Sequence, residues 1–276
     1  MRPGRGEIWG VSLVRDEIDV IESSVRHMLA QGVDQLLIVD HCSEDGTREL
    51  LTALAARDPR VHVGFDDLKA HKQMEKITYL SRIAWRSGAA WVIPFDADEF
   101  WYAQSRSVAE YLRGLRREVG VAAAAMHSAV PTQQEAATAF RSQPFRVDLV
   151  PTGDPKTAFR AHPLVGVAPG NHGVSRIGAT TNDLHIVHVP YRGADQIGRK
   201  YRNGAASLAA GGAPEWEGWH WRAGSRLATE AVNAAWNQMR EGKAVDELGW
   251  SWSGSYVTGK VLEAETWRDI TTRTAT

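Results

Sequence analysis

Apolar positions along the first hundred residues switch between short continuous runs and runs spaced three or four apart. Ile8 to Val14 is continuous and suits a strand buried on both faces. Arg15-Asp16-Glu17 breaks it. Ile18, Ile21, Val25, Met28 and Leu29 then recur at helical spacing, with Gly32 in the favoured stop position. Leu36 to Val39 predicts a second strand ending at Asp40. His41 to Gly46 is rich in turn residues, and Thr47 is placed to cap a helix to about Ala56 that buries Leu50, Leu51 and Leu54. Val61 to Val63 predicts a third strand. Lys72 to Ser87 predicts a helix with Met74, Ile77, Leu80 and Ala84 inward and Gly88 behind it. Trp91 to Phe95 predicts a fourth strand running into Asp96-Ala97-Asp98-Glu99, with Pro94 a warning against a fully paired central position. Strand and helix alternating in this way predict an α/β fold, a mostly parallel sheet with helices on both faces.

The rhythm weakens after about residue 105. Ser107 to Arg117 predicts a helix, and Gly120 to Met126, Phe145 to Val150 and Leu184 to Val189 predict strands. Asp195 to Arg202 predicts a short helix and Arg226 to Arg240 a longer one. No internal repeat is visible. Composition adds one oddity: of 11 Trp in 276 residues, those from Trp216 onward are the majority.

Other composition figures mainly exclude. With 43% apolar and 24% charged residues the chain can bury a core, so disorder is not expected. A net charge of −1 gives no field to steer it onto nucleic acid or an anionic membrane. One Cys allows neither an intrachain disulfide nor a thiolate zinc cage, in keeping with a reducing compartment. The longest small or apolar run, Val119 to Met126, falls far short of the roughly 20 residues of a bilayer span. Met-Arg-Pro-Gly-Arg-Gly runs straight into Glu7 without a signal-peptide pattern, so a cytoplasmic location is expected.

Open α/β sheets bind ligands beyond the C-terminal ends of their strands. Asp16-Glu17, Asp40 and Asp96 to Glu99 fall there. If the fourth strand continues, alternation points Asp96 and Asp98 the same way, a hard-oxygen half-site for Mg²⁺ or Mn²⁺. A solvated acidic turn is the plainer reading of each cluster taken alone.

These stretches resemble a known family. Val39-Asp40-His41-Cys42-Ser43-Glu44-Asp45-Gly46-Thr47 is similar to the VDNxSxDGT loop of family 2 glycosyltransferases, and Val14-Arg15-Asp16-Glu17 to their (K/R)NE strand ending. Trp91 to Phe100 resembles the DWVxxxDADEF motif of one branch. That branch also carries a Lys and Arg pair, matched by Lys156 and Arg160, and a GxH step, matched by Gly170-Asn171-His172. Its closing HYxxRSxxxFxxKxxxG is matched by His188 to Arg192, Lys200 and Gly204. His41, Asp16 and Gly193 depart from the pattern. The likeness runs in order from about residue 8 to 204.

The resemblance implies a GT-A fold: a glycosyltransferase domain over 1–215, with a nucleotide-sugar half to about 105 and an acceptor half beyond it. Residues 216–276 would be a Trp-rich helical extension. It implies metal-dependent, inverting transfer from a nucleoside-diphosphate sugar, UDP-type first, to a small-molecule, peptide or glycan acceptor. Asp98 and His188 would hold Mn²⁺ or Mg²⁺, with His185 the competitor on the opposite strand face. Arg15, Glu17, Asp40, Asp67, Lys76, Asp96, Lys156, Arg160 and Lys200 would contact the nucleotide-sugar. For the catalytic base Glu99 and His172 lead, ahead of Asp183 and Glu215. Trp219 and Trp221 are read evenly as acceptor contacts or as satellite core, Trp236 as core, with a homodimer contact as a third role for the aromatics. A nucleotidyltransferase would carry a Gly-rich first loop, which Val14 to Asp19 lacks. A phosphatase would place its Asp pair at the first strand. A sugar-binding module needs no acidic strand ends, and a dinucleotide-binding Gly-x-Gly-x-x-Gly is missing.

Overall fold

The computed structural model describes residues 6–70, 72–133, 140–212 and 218–272. Strands β1 (Glu7–Val14), β2 (Gln35–His41), β3 (Val61–Asp66) and β4 (Ala89–Pro94) run parallel in the order β3-β2-β1-β4. They alternate with helices α1 (Ile21–Ala30), α2 (Thr47–Arg57) and α3 (Gln73–Arg86). β1 is apolar on both faces because both are covered. Ile8 and Val14 join the larger core under α1 and α2, while Trp9 and Val11 meet Ile77, Leu80 and Ala84 of α3.

Three expectations change here. Met74 is 42% exposed rather than inward. Thr47 is the first helical residue rather than the cap, and Asp45 Oδ1 accepts from its backbone N–H at 3.0 Å. Pro94 does sit in a central strand, but as its last residue, past the point where β4 pairs with a second neighbour.

The second half completes the sheet mostly with antiparallel pairs, its two longest strands pairing parallel. β5 (Glu99–Ala103) leads to α4 (Val108–Gly114), whose Ser107 and Glu110 form a reciprocal capping box. β6 (Val119–Pro131) is long enough to pair with β7 (Phe145–Asp148), β8 (Lys156–Arg160) and β9 (Ala179–His188), and β8 joins β4. β9 lies between β6 and β5, so Ser128, His188 and Glu99 form one cross-strand row. α5 runs over Ala194–Ala210, well past the short helix expected.

Beyond 216, α7 (Thr229–Arg240) matches the helix expected, and the short α6 (Trp219–Gly224) precedes it. The segment then returns a strand, β10 (Tyr256–Gly259), to the sheet edge beside β7. α8 (Trp267–Thr272) buries Trp267 and Ile270 in the main core. Trp236 and Trp250 sit in a satellite core with Val130, Tyr201 and Met239. Among the described residues no helix is long and apolar enough to cross a membrane.

Candidate functional site

β2 and β3 lie on one side of β1 and β4 on the other, so the chain reverses direction across the sheet at β1. A crevice opens outside the strand ends at such a point. A cavity of about 690 Å³ lies there, floored by Val14, Arg15, Glu17, Asp96, Ala97 and Asp98. A smaller one of about 140 Å³ shares Arg15, Glu17 and Lys200 and adds Asp16, His41 and Arg199.

The loop after β2 braces the loop after β1. Ser43 Oγ accepts from Asp16 N–H at 2.9 Å, Thr47 Oγ1 from Glu17 N–H at 2.9 Å and Asp45 Oδ2 from Ile18 N–H at 3.2 Å. In return Glu44 N–H donates to Asp16 Oδ1 at 2.7 Å. Asp16 and Cys42 both take left-handed backbone, φ 55° and 56°. The Ser-x-Asp-Gly-Thr stretch thus sets the shape of the first strand's exit.

Asp96 and Asp98 share the cavity for a different reason from strand alternation. β4 ends at Pro94 and β5 starts at Glu99; the Asp pair sits in the turn between them, closed by Glu99 N–H donating to Asp96 O at 3.1 Å. Asp96 accepts from Lys156 Nζ at 2.7 Å and from Asn171 Nδ2 at 3.3 Å. Asp98 accepts from Lys200 Nζ at 2.5 Å, with Arg192 Nη1 at 3.8 Å and His188 Nε2 at 3.7 Å. Burial opposes ionisation of Asp98, but Lys200, His188 and Arg192 together hold it well below the usual carboxylate range. Burial pushes His188 down to about 4, so at neutral pH its imidazole is uncharged and offers a lone pair. Glu17 is half-buried, and desolvation pushes it up to about 7 despite its ion pair with Arg192. Arg192 is nearly inaccessible and ties Glu17 and Asp19 to Asp98.

Of the expected site residues, Arg15, Glu17, Asp96, Asp98, Lys156, His172, His188, Lys200 and Trp221 line the larger cavity. His185 faces the other way, stacked on Trp267 at 4.5 Å and 3.1 Å from His127. Other expected residues do not line it. Glu99 is fully buried behind Asp96, where Lys156 Nζ lies 2.9 Å from its carboxylate, so it does not face the cavity. Asp40 is likewise fully buried and held by Arg48 at 2.9 Å. Asp67 is the exposed end of that same Arg48 contact, and Lys76 pairs with Asp66 at 2.5 Å. Arg160 lies at the opposite end of the sheet. β8 runs antiparallel to β4, so Lys156 reaches Asp96 while Arg160 stacks on Trp91 and donates to the carbonyls of Leu115, Arg116 and Val119. Asp183 is bound to Tyr111 at 3.2 Å. Glu215 and Trp216 lie outside the described residues. Trp219 starts α6, and its side chain lies outside them too.

His172 Nδ1 lies 3.1 Å from Asp154 O and 3.3 Å from Pro155 O. Carbonyls only accept, so Nδ1 carries a proton, and in the neutral ring the lone pair is then on Nε2. The ring lies over Gly170, where a Cβ would come within 2.7 Å of Nε2, and Gly170 has φ +65°. A glycine is required there on both counts.

The sequence reading missed Arg192 as the hub of the acidic cluster, although it lies in a quoted motif. It also missed Asn171 and Gln73 on Asp96, and Asn203 on Asp16. Asn203 and Gln73 carry no sequence signal; they arrive by helix geometry alone.

A divalent cation fits the donor set at Asp98 and His188. Their Oδ1 and Nε2 stand 3.7 Å apart. Two donors each about 2.1 Å from one ion stand about 3.0 Å apart at a right angle and about 4.2 Å apart when opposed. Among the described residues no group of three or more His, Cys, Asp or Glu side chains forms a complete metal cage. A two-ligand half-site is the pattern of an ion that draws its other ligands from phosphate and water.

No family model matches this sequence, and no curated protein matches it. Solved structures of similar arrangement include S. aureus TarS, at 10% identity and TM-score 0.42, covering 79% of this chain and 42% of that one. The mannosyltransferase PcManGT of Pyrobaculum calidifontis, in complex with GDP-Man and Mn²⁺, gives 16% identity and TM-score 0.45, covering 89% and 78%. GalNAc-T7 with UDP, GalNAc and Mn²⁺ gives 12% identity and TM-score 0.46, covering 99% and 59%. This chain thus spans 42% of the length of TarS. At such identities the likeness is one of arrangement, and the activities in those names belong to those proteins.

Proposed function

We propose that this chain is a family 2-like glycosyltransferase of GT-A fold, moving a sugar from a nucleoside-diphosphate sugar to an acceptor hydroxyl with inversion. The observation that carries the reading is one cavity at the sheet's reversal point that combines acidic, cationic and basic-imidazole groups. Asp96 and Asp98 line it with Lys156 and Lys200, and so does His172, whose Nδ1 is turned to backbone carbonyls.

The roles follow from charge. As the donor bond breaks, negative charge grows on the leaving diphosphate. Arg15, Lys156 and Lys200 supply cations beside it, and Arg192 holds Asp98 and Glu17 in place. Asp98 and His188 would hold a Mn²⁺ or Mg²⁺ ion, whose chemistry is Lewis-acid neutralisation of the diphosphate. His172 takes the proton of the acceptor hydroxyl at Nε2. The acceptor oxygen bonds to the anomeric carbon, and the electron pair of the broken bond leaves on the diphosphate. GDP-Man and Mn²⁺ are named with PcManGT, and UDP, GalNAc and Mn²⁺ with GalNAc-T7, and this reading extends that chemistry, UDP-type first, to this chain.

The test is calorimetric titration with UDP and GDP, with Mn²⁺ or with chelator, followed by donor-sugar hydrolysis in wild type and His172→Ala. Binding that needs the ion and is lost in Asp98→Ala is expected, with hydrolysis falling about 10²–10⁴-fold in His172→Ala. Equal binding with chelator would refute the metal assignment. Release of pyrophosphate from a nucleoside triphosphate and a sugar phosphate would move the chain to the nucleotidyltransferases.

A further inference from the structure

The end of the sheet opposite the cavity carries a surface of another kind. Residues 165–167 run back along α3: Thr78 Oγ1 accepts from Val167 N–H at 3.0 Å, and Arg82 donates to Val165 O at 2.9 Å. The same course, carried one helical turn further, brings Leu164 beside Trp85 and Arg86 in the last turn of α3. A second segment pairs with the first, Val174 bridging to Val167 and Ser175 N–H donating to Gly166 O at 2.8 Å, and it leads out to Arg176 and Ile177. Arg176 donates to Arg160 O at 3.0 Å and to Ile177 O at 3.1 Å. The backbone of Ile177 lies against Gly120, where a Cβ would come within 2.3 Å of Ile177 O. Arg116 and Arg117 stand just before β6 at the same end. Burial, then the charges of Arg176 and Arg117 close by, hold Arg160 below its ordinary range. Leu164 is 77% exposed and Ile177 89%, and Arg82, Arg86, Arg116 and Arg117 around them are exposed too. Among the described residues only Arg116 of these arginines has a carboxylate in reach, Glu118 at 3.9 Å.

We propose that this face docks on an anionic lipid bilayer, with Leu164 and Ile177 entering the headgroup region and the arginines pairing with lipid phosphates around them. The proposal stands whether or not the transferase reading does. Charge complementarity selects the partner. Guanidinium forks match phosphate oxygens, and each arginine near an anionic membrane adds to the attraction. The apolar tips narrow the choice further. A nucleic acid would satisfy the arginines and leave Leu164 and Ile177 in water. A second copy related by a two-fold axis would set arginine against arginine. A bilayer is anionic at its surface and apolar just beneath, which is the order in which this face presents its groups. The tips are also held in place, since Ile177 rests on Gly120 and Leu164 follows a segment bonded to α3, so little ordering is needed on docking. The chain's net charge of −1 hides this local excess of arginine. Docked in this way, the protein keeps its cavity at the far end of the strands, open to solvent.

The test is co-sedimentation of the full chain with vesicles of phosphatidylcholine alone and of phosphatidylcholine mixed with phosphatidylglycerol in equal parts. Binding to the mixed vesicles, weakened by salt and absent from the neutral ones, is expected. Leu164→Ser with Ile177→Ser should weaken it by at least about tenfold. Arg116→Gln with Arg117→Gln should weaken it by about 25-fold, roughly fivefold for each charge removed. All four side chains are exposed, so both double variants should keep the wild-type melting temperature. No binding of the wild type to the mixed vesicles would overturn the proposal. So would binding that falls in the arginine variant and is unchanged in the serine variant, the behaviour of a site for any polyanion. Single-stranded DNA, run as a competitor, should displace the protein from the vesicles poorly; displacement at equal phosphate concentration would also overturn the bilayer assignment.

Discussion

Replacing Glu99 with glutamine isolates the electrostatics beneath the site. One cation, Lys156, serves two carboxylates, at 2.7 Å from Asp96 and 2.9 Å from Glu99. Both carboxylates hold Lys156 charged, well above its ordinary range, against burial. The two acids cannot share that cation equally, and Glu99 is the one with no exposure. Burial first, then the negative charges of Asp96 and Asp98, push it from 4.5 up to about 8 even with Lys156 lowering it. The folded state therefore binds this proton more tightly than the unfolded state does. The stability it brings is fully present below pH 4.5 and is lost as pH rises to about 8. At about 1.4 kcal/mol per pH unit of displacement, the loss by pH 8.5 is on the order of 5 kcal/mol. Glutamine keeps the shape and removes the titration. Urea unfolding at pH 5 and pH 8.5 should show Glu99→Gln gaining several kcal/mol on wild type between the two. Donor hydrolysis should survive, since Glu99 does not face the cavity. A variant equally destabilised at both pH values would refute the charge reasoning. Loss of hydrolysis with intact nucleotide binding would return Glu99 to the chemistry.

Three further outcomes are expected. Arg160→Ala should cost about 2–3 kcal/mol through lost carbonyl hydrogen bonds and the contact with Trp91, while calorimetry shows unchanged nucleotide affinity. A Cβ at Gly204 would meet the Trp221 ring at 2.5 Å, so Gly204→Ala should lower hydrogen-exchange protection in α6; overpacking of about 1–3 kcal/mol exceeds the roughly 1 kcal/mol gained in helix propensity. Burial pushes His27 down from 6.5 to about 3, with its Nε2 bonded to Trp101 O at 2.7 Å. Its folded value is depressed, so stability falls as pH drops below 6.5, by about 3 kcal/mol at pH 4. His27→Gln should flatten the acid limb of the melting curve, and an unchanged limb would sink that assignment.

The first four strands were legible because strands covered on both faces read as continuous apolar runs. Asp98, His188 and Lys200 were legible as motif positions, and strand parity separated His188 from His185. The misread residues share a cause. A sequence does not show which counter-charge will reach a carboxylate. Glu99 and Asp40 look like strand-end ligands until Lys156 and Arg48 arrive from elsewhere in the chain. Arg160 was misread because strand direction is invisible. Four residues along an extended strand is about 13 Å, enough to take it from one end of the sheet toward the other. The shared orientation of Asp96 and Asp98 was expected from alternation and arises from a turn instead. The second half was less legible because β6 serves three partners and α5 keeps going through an Ala- and Gly-rich stretch.

α5 links the ionic cluster to α6. On the ionic side Lys200 meets Asp98, Asn203 meets Asp16 and Ser207 accepts from Arg15 at 2.8 Å. On its other flank Gly204 lets Trp221 lie against the helix backbone, and Tyr201 packs against Gly224 of α6. A ligand that draws Lys200 away from Asp98 therefore loads the same beam that carries Trp221. Where such a displacement changes the affinity of a second ligand beside Trp221, the reverse holds by the same factor. Comparing nucleotide affinity in wild type and Gly204→Ala would read whether the two flanks are coupled, and α5 is where a substitution would uncouple them.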